Sequence, residues 1–213
     1  GIELGDTCPL PKPFDPNILR ARVGASLAKK RLRDREQLYA RSLEREMDIA
    51  RNIQASFLPR TLPQAGGWEL AAYFQPARRV GGDFYDAFEL HRGKRIALVL
   101  ADVCDKGVGA ALFMALFRSL IRAQAERTFS VDLDPGEQIN ELLQSVNNYI
   151  ARTHGDTNMF ATVFMAVLDP ARGTLAYVNG GHEAPVLCGI DGIRARLDPT
   201  GPAVGMMAGL PFH

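Results

Sequence analysis

Apolar residues recur at three- and four-residue spacing along the first quarter of the chain, through Leu19, Val23, Leu27, Tyr39, Leu43, Met47, Ala50, Ile53 and Phe57. That is the period of one face of an α-helix. Asp15 suits the cap, Pro16 suits the first helical position, and Pro59 ends the run. A helix over 16–58 would reach about 60 Å at about 1.5 Å per residue, more than a small domain can cover. Its middle, from Lys29 to Glu36, is almost wholly charged. The pattern predicts a connector: either a solvent-bridging rod or a parallel coiled coil joining two copies of the chain. Beyond Pro59 the period changes. Residues 68–75 read as a strand, and 80–90 as a glycine turn running into a strand. The continuous apolar run 96–101 reads as a strand buried on both faces. Helices are expected over 110–126 and over 135–153, the second capped by Asp134. Strands are expected over 160–168, 174–179, 184–188 and 193–197, with turns at 169–173 and 191–192. Strands, two helices, then strands is the order of a layered α+β domain rather than of alternating βαβ units.

Composition narrows the class. With 213 residues, 46% of them hydrophobic and 23% charged, the chain can build an ordinary core and is not of disordered composition. The apolar stretch 109–117 has nine residues, against about 20 for a bilayer span, so no membrane insertion is expected. No basic-then-apolar leader marks secretion. Cys8, Cys104 and Cys188 are few and widely spaced, which fits a reducing, cytoplasmic setting and forms no zinc pattern. The net charge of +1 hides a segregation, because residues 20–60 hold 11 Lys/Arg against five Asp/Glu. Aromatic residues are not interleaved with these cations, so the segment reads as a solvated helix face and not as a nucleic-acid surface.

Candidate chemistry sits where the apolar strands end. Asp83 follows Gly81-Gly82, and Asp102 closes the run 96–101. A carboxylate at the end of a buried strand is costly unless it is paired or bound to a cation. Two of them among glycine turns suit hard divalent ions such as Mg²⁺ or Mn²⁺, whose chemistry on phosphate esters is hydrolytic. The same residues also read as strand-end aspartates facing water, and by themselves they leave both readings open.

The words VGGDFYD at 80–86 and LVLADVCDKGVGAAL at 98–112 resemble the two N-terminal motifs of bacterial PPM (type 2C) serine/threonine phosphatases of the SpoIIE/RsbU type, which act on anti-anti-sigma factors. Residues 47–59, 158–162, 177–185 and 201–206 resemble further segments of that family, in the same order. The resemblance implies an αββα sandwich holding two Mg²⁺ or Mn²⁺ ions between its sheets. It implies Asp102 as the metal-bridging carboxylate, Val103 as a carbonyl ligand, and Asp83 as a ligand to metal or metal-held water. Asp86 would be supporting or structural, and His182 a turn or packing residue. The partner implied is a phosphorylated anti-anti-sigma-like protein. Cys104-Asp105 stands where the family usually has Ser-Gly, and Glu183 where it usually has Asn, so Asp105 is a supporting position in doubt. The family's two later metal-ligating aspartates lie past a segment like 202–213 and are not among these residues, which makes the expected sandwich incomplete. Asp191-Gly192 is no substitute, since it sits in a hairpin turn. The alternative is a non-catalytic phosphatase-like module that sequesters a regulatory partner.

Upstream, the segment 11–16 resembles the end of a response-regulator receiver domain, in which a Lys-Pro step sets an ammonium on the phosphoryl group. Lys12 would be that contact, and a histidine kinase the upstream partner. The division expected is a receiver tail over 1–15, a connector helix over 16–58 and a phosphatase-type domain over 60–213. Phosphorylation would then shift the helix, and residues 50–57 would reposition the metal-binding turns.

Overall fold

The computed structural model describes residues 13, 15–76, 79–130 and 132–213. Lys12 and the receiver-like words around it lie outside the described residues. The chain divides into two compact units, residues 1–46 and 47–213. Helix α1 runs from Pro16 to Phe57. The Asp15 carboxylate accepts from the Asn17 N–H at 2.8 Å, and its carbonyl accepts from the Leu19 N–H, so Asp15 starts the helix as its side chain predicts. In the first unit Leu19, Val23, Leu27, Tyr39 and Leu43 all lie exposed. In the second, Gln54 is buried, and Phe57 and Leu58 pack on the core.

The second unit is built on one antiparallel sheet in the order β1-β2-β3-β4: β1 Phe84–Leu90, β2 Arg95–Val103, β3 Ala161–Asp169 and β4 Thr174–Gly180. Two helices, α2 Val108–Thr128 and α3 Pro135–Thr153, follow β2, and a separate hairpin, β5 Val186–Gly189 with β6 Gly192–Arg196, follows β4. Alternation along the strands sends Phe84, Phe88, Val99, Ala101, Val163, Met165 and Val178 into one core cluster. The helices cover that face. Ala110, Met114, Phe117, Ile121 and Ala125 line α2 at helical spacing, and Ile139, Leu142, Val146 and Ile150 line α3; all are buried. By length and composition α2 could cross a membrane, but its apolar stripe is spent on this core. The Asp134 side chain caps α3 by accepting from the Glu137 N–H, as its position before Pro135 predicts.

Two expectations need correcting. Residues 68–75 form no strand. Trp68 makes one isolated bridge to Ala65, and no described strand offers 69–76 a ladder. That segment instead runs beside the face without helices, where Leu70 and Tyr73 line a groove of about 310 Å³ with Tyr85, Leu98, Leu100 and Phe164. The run 96–101 is fully buried on one face and only in part on the other, where Ile96 is buried, Leu98 half-buried and Leu100 43% exposed. An unbroken apolar run reports hydrophobicity on both sides of a strand, not how much each side is covered.

Candidate active site

The register of β1 and β2 decides where the acids go. Phe84 pairs with Ala101, and the ladder extends outward through a hydrogen bond from the Val103 N–H to the Gly82 carbonyl at 3.4 Å. Asp83 therefore stands opposite Asp102, flanked on one side by a hydrogen-bonded pair. Such intervening pairs bring side chains closest in an antiparallel ladder. Asp102 in turn pairs with Thr162 on β3. Continuing the β3–β4 register past Val163–Gly180 sets Gly181 next in line. The result is one row across the end of the sheet, Asp83-Asp102-Thr162-Gly181, on the face away from the helices.

The two acids interact. Partial burial raises the Asp102 carboxyl from its ordinary value near 3.8 to about 6; a hydrogen bond with Asp83 and that group's negative charge add to the shift, and Lys106 opposes it. Like charges placed opposite each other are unfavourable, so below about pH 6 Asp102 holds a proton unless a cation intervenes. Gly82 matters here for lack of a side chain: a Cβ on it would stand 2.5 Å from the Val103 carbonyl oxygen. The turn beyond is built on left-handed backbone at Asp105 (φ 75°) and Gly107 (φ 85°). Asp105 thus occupies a conformation that glycine adopts without strain and an aspartate tolerates. Cys104 prolongs the ladder through its N–H to the Phe160 carbonyl at 2.8 Å, and its Sγ accepts from the Phe160 N–H at 3.2 Å.

Asp86 does not join the row. Three residues from Asp83, it has the opposite parity and faces the helices, buried, where it takes Arg122 at 2.7 Å and Arg118 at 3.1 Å. Arg122 also lies over the Phe88 ring, 4.5 Å from its centre. Asp86 thus ties β1 to α2.

Thr162 and the setting of His182 were not foreseen. The Thr162 Oγ1 and His182 Nδ1 lie 2.8 Å apart. The His182 backbone is held at both ends by fully buried Asn179, whose Oδ1 accepts from its N–H and whose Nδ2 donates to its carbonyl. Burial lowers the His182 ring below its usual value, against the pull of Asp83 and Glu183. The same Asn179 also donates to the Leu197 carbonyl, which ties the loop after β6 to this corner. On the other flank, the Gln54 amide of α1 donates to the Gly81 carbonyl and accepts from the Gly81 N–H, gripping the turn that presents Asp83. The sequence marks this corner only as the word Asn179-Gly180-Gly181-His182.

Comparison with known proteins agrees with this architecture. Over residues 92–213 the chain matches the family described as Stage II sporulation protein E (SpoIIE). It is 44% identical over 190 residues to Protein IcfG of Synechocystis, which covers 78% of this chain and 29% of that protein. It is 28% identical over 141 residues to the Phosphoserine phosphatase RsbU of Bacillus subtilis, covering 66% of this chain and 39% of that one. The chain thus spans well under half the length of these relatives. The SiaA-PP2C domain of Pseudomonas aeruginosa shares the fold with a TM-score of 0.61 at 22% identity, over 79% of this chain and 65% of that domain. Motifs, α+β layering and family match agree: the chain belongs to the SpoIIE family, the SpoIIE/RsbU type of PPM phosphatase.

Proposed function

We propose that this chain carries part of the metal site of a protein phosphatase that hydrolyses phosphoserine or phosphothreonine on an anti-anti-sigma-like protein. The observation that carries the reading is the pairing of Asp83 with Asp102 across the ladder, with one carboxyl pushed up to about 6. The donor set fits a hard divalent ion: two facing carboxylates, with the Val103 carbonyl beside a residue that has no side chain to cover it. Asp83, Asp102 and Val103 would hold Mg²⁺ or Mn²⁺, two ions in the complete site. Bound there, such ions supply charge neutralisation at the phosphoryl group and a water acidic enough to act near neutral pH. The chain's own part is to set the acids. Gly82 allows the close approach, the β1–β2 ladder fixes their spacing, and Gln54 secures the turn before them.

On the same reading a histidine kinase acts through a receiver in which Lys12 contacts the phosphoryl group. The signal reaches the site along α1, whose exposed apolar face pairs with that of a second copy, and Gln54 passes it to Gly81.

A second reading, a phosphatase-like module that binds a phosphorylated partner without turning it over, draws support from the donor count. Among the described residues no group of three or more His, Cys, Asp or Glu side chains converges as a metal site. The full-length protein with Mn²⁺ and a phosphoserine peptide decides between them. Turnover that Asp102→Asn and Asp83→Asn each abolish, together with Mn²⁺ binding, supports the phosphatase. Capture of the phosphopeptide without turnover at saturating Mn²⁺ supports the binding module.

A further inference from the structure

We propose that His182 is a substrate-binding residue of this site, donating a hydrogen bond from its Nε2–H to an oxygen of the phosphomonoester. The inference rests on the reading of Asp83 and Asp102 as the metal-holding pair and adds a group of a different kind to it.

Three observations converge. First, His182 is placed with unusual thoroughness for a loop residue just past a strand. Fully buried Asn179 holds its backbone at both the N–H and the carbonyl, and Gly181 before it has φ 71° and lies against the Ala203 backbone. Second, its ring is oriented. Thr162, the neighbour of Asp102 in the row, meets Nδ1 at 2.8 Å. The contact is compatible with either tautomer of the ring; the proposal assigns the one in which the Thr162 hydroxyl donates to Nδ1 and Nε2 carries the hydrogen. Third, Nε2 is free to act. No described group bonds it, and it is not among the buried side-chain atoms left without a partner, so it is open to solvent, on a ring that lies within the field of Asp83.

The site otherwise presents oxygens: two carboxylates, a threonine hydroxyl already committed, and a backbone carbonyl. These suit cations and repel a phosphate dianion. An oriented N–H at the end of the same row supplies what they lack, a neutral donor that recognises the anion without competing for the metal. Such a hydrogen bond to a charged group is worth about 10- to 100-fold in affinity.

The test uses the full-length protein with Mn²⁺, measuring Mn²⁺ affinity by titration of the ion's EPR signal, kcat and KM for a phosphoserine peptide, and inhibition by inorganic phosphate. His182→Ala is expected to leave Mn²⁺ affinity within about threefold and to lower kcat/KM by about 10- to 100-fold. It should weaken phosphate inhibition by a similar factor. His182→Gln, whose amide reaches the Nε2 position, is expected to restore most of both. Thr162→Val, which frees the ring to adopt the other tautomer, should give a smaller loss of the same kind. Unchanged kcat/KM and phosphate inhibition in His182→Ala overturn the proposal. So does loss of Mn²⁺ binding in step with turnover, which would make the residue a support of the metal site. Retention of Mn²⁺ binding and turnover by Asp102→Asn would instead sink the underlying reading, and the two failures are told apart by the Mn²⁺ titration.

Discussion

At the scale of single residues, parity separates two aspartates that the sequence lists three apart. Asp83 falls on the helix-free face and meets Asp102; Asp86 falls on the other and meets two arginines. The consequences are opposite in sign. Asp102 carries a folded-state carboxyl raised from 3.8 to about 6. The metal-free folded chain therefore holds more protons than the unfolded chain between those values. The stability this group contributes is complete below about pH 4 and is lost as pH rises through about 6. In EDTA, the melting temperature of Asp102→Asn minus that of wild type should be larger at pH 7 than at pH 5, measured by differential scanning calorimetry. Asp86→Asn should cost about 3 kcal/mol, because it leaves Arg118 and Arg122 packed beside a neutral group; the urea midpoint reads it. Face assignment of this sort is legible from a period of two once the strand is known. The partners are not, since Arg118 and Arg122 come from a helix further along the chain, Thr162 from a strand beyond it and His182 from the loop after β4.

At the scale of elements, the expected α2 and α3 and all six strands that pair are present within a few residues of the expected bounds. Their signals were local. Asp134-Pro135 caps α3, Pro59 follows the end of α1, and glycines mark the turns at 107 and 192. The failure at 68–75 has the complementary cause: a strand is a pairing, and alternation cannot say whether a partner lies alongside. The grip of α1 on the Val80–Asp83 turn was equally hidden. Gln54 lies within a helical pattern that labels it polar, yet it is buried with both ends of its amide bonded to Gly81. Gln54→Ala should cost about 1–2 kcal/mol for the two unpaired backbone groups. It should also weaken Mn²⁺ binding severalfold although it touches no metal ligand. Calorimetric titration with Mn²⁺ checks this, and unchanged affinity would show that the turn holds Asp83 without help from α1.

At the scale of the whole molecule, α1 of the first unit exposes Tyr39 at 77% and Leu43 at 57%, an apolar face that the coiled-coil reading fills with a second copy. Sedimentation should find a dimer for the wild-type chain and a monomer for Tyr39→Glu/Leu43→Glu, with the fold of the second unit unchanged by circular dichroism. What the sequence determined alone is whatever depends on neighbours along the chain. Helix period, caps, glycine turns and the words around Asp83 and Asp102 are short-range, and they were enough to indicate the α+β class and the family resemblance. What only the tertiary structure decided is which side chains meet across strands. The register sets Asp83 against Asp102 and Thr162, sends Asp86 to the helices, and brings His182 to the same corner. That register is fixed by the summed burial of one sheet face under α2 and α3, a quantity that no local stretch of the chain contains.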